Sequence, residues 1–250
     1  MGGDQPFVTE GAQSVRRSLQ LLRILGQHQL RGVSVTDAVS MLGLTRTTAH
    51  RLLNTLVEES FAERDPSTKR YRLGVAAMQL GAATRQRLPI VNTYISLMKR
   101  LAAQSGDTVF LVLREGDEVI CLHREEGPHP IKVFTMKQGS RRIIGIGAGG
   151  LALFATLNDE EIRSIFHRYM SEFNSVGMNS SILWKDIRSV RSRGYSRIAN
   201  RTTHGVSAVG AIVPNANKAQ LAISLATVNA RMPAARAAEL GQLLRDALNE

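Results

Sequence analysis

The chain has a single cysteine, Cys121, among its 250 residues. One thiol cannot close an internal disulfide, so no covalent framework organises the fold, and the composition fits a reducing cytoplasm. Metal-site spacing is also missing. There is no C-x-x-C and no H-x-x-x-H, and the richest stretch, "HREEGPHP" with His123, Glu125, Glu126 and His129, reads as the exit of a hairpin rather than a ligand set. No run approaches the ~20 apolar residues that span a bilayer, so no membrane partner is expected. The opening "MGGDQPFVTE" lacks a basic segment followed by an apolar one, and Pro6 stands where a myristoylation signal needs Ser or Thr. No Ser, His, Asp set announces a nucleophile, and Cys121 alternates with apolar residues in the manner of a core side chain. Catalysis is therefore not expected.

Acids are scarce as well: 21 Asp and Glu stand against 32 Lys and Arg, a formal charge of +11. Such an excess points to a polyanionic partner without choosing between nucleic acid and an anionic surface. Its distribution weakens the simple reading. Residues 1–75 carry ten basic against seven acidic residues, and the remaining residues carry 22 against 14. The case for DNA has to come from arrangement.

That arrangement begins with "SVRRSLQLLRILGQH", where Val15, Leu19, Leu22 and Leu25 recur at helical spacing behind a potential Ser14 cap. "SVTDAVSMLGL" offers Ser34 or Thr36 as a second cap and Gly43 as a stop. "TRTTAHRLLNTLVEESF" opens a third helix at Thr45. At about 100° per residue, Ala49, Leu52, Leu53, Leu56 and Val57 fall on one side, and Thr47, His50, Arg51 and Asn54 on the other. The second set can hydrogen-bond base edges or phosphates, with Arg46 at its margin. "FAERDPSTKRYRLG" then alternates as two short strands about Asp65-Pro66-Ser67, which supplies turn chemistry. Lys69 and Arg70 sit at the tip. Helix, glycine turn, helix and basic hairpin in this order describe a winged helix-turn-helix.

From Gly74 to about Leu88 the chain is small, apolar and helix-compatible, and Pro89 breaks it. The remainder predicts a helix ended by Gly106, a hairpin turning at Glu115-Gly116-Asp117, a third strand "IKVFTM", and consecutive helices "GAGGLALFATL" and "NDEEIRSIFHRYM". A further helix stops at Gly194. Strands "YSRIA", "GVSAVGAIV" and "QLAISLAT" follow, the last two split by the turn "PNANK", before a closing helix with Pro233 in its first turn. The expected class is α+β around an antiparallel sheet.

One motif argues otherwise. Gly145, Gly147 and Gly150 stand at G-x-G-x-x-G spacing before an apolar helix. A dinucleotide loop needs a second parallel strand carrying an acid about 20 residues on. Here the helix runs into another helix, so no nicotinamide or other cofactor is expected. The glycines either expose helix N–H groups to a small carboxylate or let the helix pack closely on the sheet.

With these elements in this order, the sequence resembles the IclR family of bacterial transcriptional regulators. The resemblance runs from "QSVRRSLQLLRIL" through "LGLTRTTAHRLLNTLVEESFAERDPSTKRYRLG" to "RSRGY" and "AISLATVNARM". It implies a winged helix-turn-helix over 1–75, a linker helix over 76–90 and a GAF-like effector-binding domain over 91–250. It implies a homodimer or tetramer on a pseudo-palindromic double-stranded DNA operator, modulated by a small organic acid. DNA contacts would come from Arg46, Thr47, His50, Arg51, Asn54, Lys69 and Arg70. The effector pocket would fall at Gly147, Ala148, Gly149, Ile198, Ala199, Ala208, Ser224 and Ala226. The chain departs from the family there: a His common in the family is Gly145, a common acid falls at Ile198 or Ala199, and a frequent Cys is Ala208. A less polar pocket follows, and with it an aromatic or longer acid, with Arg197, Arg201 or His204 as candidate carboxylate partners. Two rivals stand beside this reading: an enzyme using the second domain, and a winged-helix protein that binds other partners.

Overall fold

The computed structural model describes residues 12–87, 89–214 and 220–249, and the side chains at 84–87 and 89 are not described. Most of the turn expected at "PNANK" lies outside the described residues. The chain divides into two compact units, Met1–Pro89 and Ile90–Glu250.

In the first unit, α1 (Gln13–Gln27), α2 (Val35–Leu42) and α3 (Arg46–Glu58) precede a hairpin of β1 (Ala62–Arg64) and β2 (Tyr71–Leu73), with α4 (Val75–Arg87) last. Local chemistry places the boundaries. Ser34 accepts from the Asp37 N–H while the Asp37 carboxylate accepts from the Ser34 N–H, a reciprocal cap on α2. Gly43 ends that helix in the left-handed region at φ +63°, and Thr45 caps α3 through the Thr48 N–H. Ala49, Leu52, Leu53 and Leu56 are buried with Leu21, Leu25, Val33 and Tyr71 in one core.

Helix α1 corrects the expected stripe. Leu21 and Leu25 are fully buried, whereas Val15 and Leu19 are 58% and 50% exposed. The expected Leu25 is in the core and Leu22 packs against it, but packing against α3 and β2 takes Leu21 in place of Val15 and Leu19. The N-cap of α1 is Ala12, without a side-chain bond, so Ser14 is inside the helix.

The second unit is built on a six-stranded antiparallel sheet in the order β5-β4-β3-β8-β7-β6. Its strands are β3 (Thr108–Glu115), β4 (Glu118–Glu126), β5 (Arg141–Ile143), β6 (Ser196–Ala199), β7 (Val206–Ile212) and β8 (Leu221–Val228). The helices are α5 (Pro89–Ser105), α6 (Ala148–Phe154), α7 (Asp159–Arg168), α8 (Met170–Ser175), α9 (Ser180–Arg193) and α10 (Ala234–Asn249). Strand period 2 sends alternate residues to opposite faces. Val109, Leu111, Leu221, Ile223 and Leu225 join a core with α5 and α10, and Phe110, Val112, Ala222 and Ala226 join a second core with α6, α7 and α9. Both faces are covered, which is why β3 and β8 are apolar almost throughout.

Residues 131–136 are not the expected strand. Val133 and Met136 are buried and Ile131 and Phe134 exposed, so the inward side chains are three apart, not two. The Val133 N–H is taken by the Thr108 hydroxyl at 3.3 Å and the Thr135 carbonyl by Arg142 at 2.6 Å, so side chains replace a neighbouring strand. β5 is the strand that pairs with β4. A G-x-G-x-x-G after this antiparallel edge strand, leading into α6 and then α7, has none of the parallel surroundings of a dinucleotide loop.

Candidate functional site

Arg46, Thr47, His50, Arg51 and Asn54 are all exposed on α3 and together line one open surface concavity. They occupy the face opposite Ala49, Leu52, Leu53 and Leu56, which the core fixes. Asn54 Nδ2 and His50 Nδ1 lie 3.3 Å apart, one helical turn from each other. The face offers two guanidinium groups, an imidazole, an amide and a hydroxyl, all groups that read base edges.

The hairpin is a wing held in place by its own charges. The Asp65 carboxylate accepts from the Ser67 and Thr68 N–H groups and the Ser67 hydroxyl and pairs with Arg72 at 3.1 Å. These bonds, the Ser67 hydroxyl first among them, hold its pKa well below the usual carboxylate range. Lys69 is exposed at the turn with φ +57°. Arg70 is not a free tip residue. Its Nη1 donates to the Gly32 carbonyl and to Asp37 Oδ2, both at 3.0 Å, and this binds β2 to the start of α2 alongside the Val33–Tyr71 bridge. In this arrangement Arg70 serves as a latch between the hairpin and α2. Arg64, which sequence reasoning passed over, is a second exposed wing cation, 5.6 Å from the centre of the Tyr71 ring.

In the second unit, seven of the eight expected pocket residues line one cavity: Gly147, Ala148, Gly149, Ile198, Ala208, Ser224 and Ala226. The exception is Ala199. Strand β6 alternates, so Ser196 and Ile198 point inward while Arg197 and Ala199 are exposed on the other side. The expected carboxylate partners fare no better. Arg197 faces out, His204 is exposed, and Arg201 pairs with Asp186, leaving its Nη1 buried without a partner.

The cavity measures about 30 Å³, room for about one or two waters. Close approach of helix and sheet makes it small. A methyl group on Gly149 would stand 2.8 Å from Val112 Cγ2, and one on Gly210 would stand 2.8 Å from the Ala148 backbone, so glycines on both sides let α6 rest on the sheet. The Ser196 hydroxyl donates to the Ala148 carbonyl at 2.6 Å and secures the contact. Of the two readings of the glycine segment, the packing one accounts for these distances.

Arg142, absent from the expected set, also lines the cavity. The sheet and α6 bury much of its side chain, and burial pushes its guanidinium below the ordinary arginine value. Cys121 lies close by, but burial pushes that thiol up to about 11, so it stays neutral near pH 7. The His123, Glu125, Glu126 and His129 stretch is internally occupied: His123 with Glu125, Glu126 with Arg124, and His129 with the Ile131 N–H.

A winged helix-turn-helix with a polar recognition face, joined in one chain to an antiparallel sheet domain, defines a DNA-binding regulator of two-unit type. Residues 14–66 match the IclR helix-turn-helix domain and residues 82–250 match the bacterial transcriptional regulator IclR C-terminal domain. The chain belongs to the IclR family of bacterial transcriptional regulators. It is 26% identical over 243 residues to the HTH-type transcriptional regulator BhcR of Paracoccus denitrificans, covering 96% of this chain and 86% of that protein. An IclR transcriptional regulator from Alicyclobacillus acidocaldarius shares the fold with a TM-score of 0.79 at 24% identity, over 94% of this chain and 95% of that one. An IclR homologue from Microbacterium hydrocarbonoxydans, complexed with 4-hydroxybenzoate, does so with a TM-score of 0.73 at 17% identity, over 94% and 96%. Among the described residues no helix is long and apolar enough to cross a membrane.

Proposed function

We propose that this regulator reads a pseudo-palindromic operator as a homodimer or tetramer in the cytoplasm, with α3 in the major groove and Arg46, Thr47, His50, Arg51 and Asn54 facing base edges. The observation that carries the reading is the exposed face of α3, five groups that hydrogen-bond bases set against a fully packed opposite face. Lys69 and Arg64 on the wing supply phosphate or minor-groove contacts, and Arg70 supports them from behind. Apolar surface left open on α1 at Val15 and Leu19, and on α4 at Val75, Met78 and Leu80, supports association with a second copy.

The cavity under α6 is the effector site, and it takes a small organic acid whose differential affinity for two arrangements of the oligomer shifts operator affinity. The ligand held by the Microbacterium homologue, an aromatic acid, supports this chemistry. The polar side chains on the cavity wall are hydroxyls and a guanidinium, groups suited to holding an acid. The test is selection from random duplex DNA at near-physiological salt. Recovered sequences that share two inverted half-sites, lost in a His50→Ala/Arg51→Ala variant, establish operator reading. Flat recovery, unchanged in that variant, refutes it.

A further inference from the structure

Arg142 is a half-buried cation without a counter-charge among the described residues. Among the described residues no carboxylate lies within ion-pair distance of it, and its one hydrogen-bond partner is the Thr135 carbonyl. Buried charges are ordinarily paired, since desolvating an ion without a partner is costly. Every other arginine known to be similarly enclosed in this unit has an acid: Arg114 has Glu161, Arg201 has Asp186, Arg231 and Arg236 share Asp107.

Its position gives the missing partner a place. Arg142 forms part of the cavity wall, and its Nη1 stands 3.2 Å from where a side chain at Gly147 would begin, so glycine there keeps the guanidinium beside the cavity. Ser224, Thr135 and Thr202 add hydroxyls, and Val112, Ile198 and Ala208 contribute apolar wall. Among the described residues no second cation lines the cavity.

Resting on the reading of this cavity as the effector site, we infer that Arg142 is its specificity-determining residue, and that it selects small monoanionic carboxylates over neutral molecules of the same shape. One guanidinium balances one negative charge, which disfavours phosphates and dicarboxylates. A planar carboxylate on Arg142 Nη1 would be a charge-assisted bond in a site shielded from solvent. The apolar wall receives the body of the acid. The volume sets the size: acids of a few heavy atoms fit the cavity as formed, and an aromatic acid requires α6 or the 131–136 segment to move.

The test uses the full chain and a panel of formate, acetate, propionate, butyrate and benzoate, each beside its primary amide, with binding read by calorimetry and by the shift of melting temperature. The wild type is expected to bind at least one acid tenfold or more tighter than its amide. Arg142→Met, close in volume and uncharged, should bring that ratio to within twofold, and Arg142→Lys, which keeps the charge, should restore part of it. A purely structural role predicts lost stability without any change in the acid-to-amide ratio. If the ratio persists in Arg142→Met but binding vanishes when Ala226→Leu fills the cavity, the cavity is the effector site and the assignment of Arg142 is wrong. Acids that bind wild type and both variants alike bind elsewhere, and both readings fall. A wild type that binds amides as well as acids, blocked by Ala226→Leu, overturns Arg142 alone. If no panel member binds, the cavity is not a small-acid site and the domain acts without such an effector.

Discussion

The position of the wing depends on one carboxylate, Asp37, whose two duties can be separated. It completes the reciprocal cap with Ser34 and holds Arg70 at 3.0 Å. Asp37→Ala removes both: about 1 kcal/mol for the cap, on the scale of N-cap losses, and about 0.2–1 kcal/mol for a pair whose side chains remain a quarter to a third exposed. Asp37→Asn keeps an oxygen for the Ser34 N–H and loses only the charge, so it should cost less than about 1 kcal/mol. Arg70→Ala loses the pair and the bond to the Gly32 carbonyl, roughly 1–2 kcal/mol. A kilocalorie moves the midpoint of a domain of this size by about 4–8 °C, and hydrogen exchange at the Val33 and Tyr71 amides, which close the bridge, reports the wing locally.

The functional consequence separates a latch from a contact. Fluorescence anisotropy of operator DNA across a salt series should show Arg70→Ala weakening binding with the slope of log K against log salt unchanged. Lys69→Ala should lower that slope by about one phosphate's worth. Asp37→Ala, which adds rather than removes net positive charge, should weaken binding as Arg70→Ala does, because the wing is unlatched in both. A slope reduced equally by Arg70→Ala and Lys69→Ala, with Asp37→Ala binding tighter, would mean that Arg70 meets phosphate and that the latch is incidental. The latch has a pH signature too. The Ser34 N–H, the Ser34 hydroxyl and Arg70 lower the Asp37 pKa against the opposing effect of burial. Its contribution is therefore complete above the ordinary carboxylate value of about 4 and is lost as pH falls through the lowered one, so the protection factors of the wing amides should be level from pH 7 to 5.

Arg51→Ala should cost about 1–3 kcal/mol on the operator and relax preference at one base position per half-site if it reads guanine, as competition with base-substituted operators would show; an equal loss on every sequence contradicts that role. Asp107 has no exposed side-chain surface and is shared by Arg231 and Arg236. Asp107→Ala should destabilise the second unit by about 2–4 kcal/mol, below the full cost of breaking a buried pair because both arginines stay partly solvated. The single Trp184, packed beside the core of that unit, reports its unfolding by fluorescence, and a loss under about 1 kcal/mol would rule out a structural centre there. Gly149→Ala should cost about 1–3 kcal/mol by overpacking against Val112; adding Val112→Ala should recover part of it, and strict additivity would show that the two do not meet.

How far the sequence disclosed all this depends on how many patterns competed at each place. Helix α3 was legible in both faces because its apolar positions admit one helical phase. Helix α1 was legible only in part, because Val15 and Leu19 stand at a spacing as regular as that of Leu21 and Leu25, which are buried. The 131–136 segment alternates well enough to pass for a strand, and only contacts with Thr108 and Arg142, far away in sequence, settle its path. Arg70 was misplaced for a similar reason: its partner Asp37 lies 33 residues earlier, and a basic residue near a hairpin tip looks free until the bridge to Val33 is known.

Arg142 is the instructive omission, since a local signal for it existed. Two arginines stand in tandem before "IIGIG", and a strand sends consecutive side chains to opposite faces. Arg141 pairs with Glu115 and Glu118 across the sheet edge, so its neighbour is turned towards the helices and the cavity. An edge strand that covers a core has no stability reason to carry a charge on its inward face, where a methionine or leucine would pack without a desolvation cost. Departures from the family pattern were read as a pocket losing polar groups at Gly145, Ile198 and Ala208. The guanidinium on the cavity wall comes from a residue outside those positions, on the edge strand opposite the one that carries Ile198. A pocket defined by a family's usual positions will miss such a group, whereas the alternation rule applied to any tandem pair of charges in a short strand finds it without an alignment.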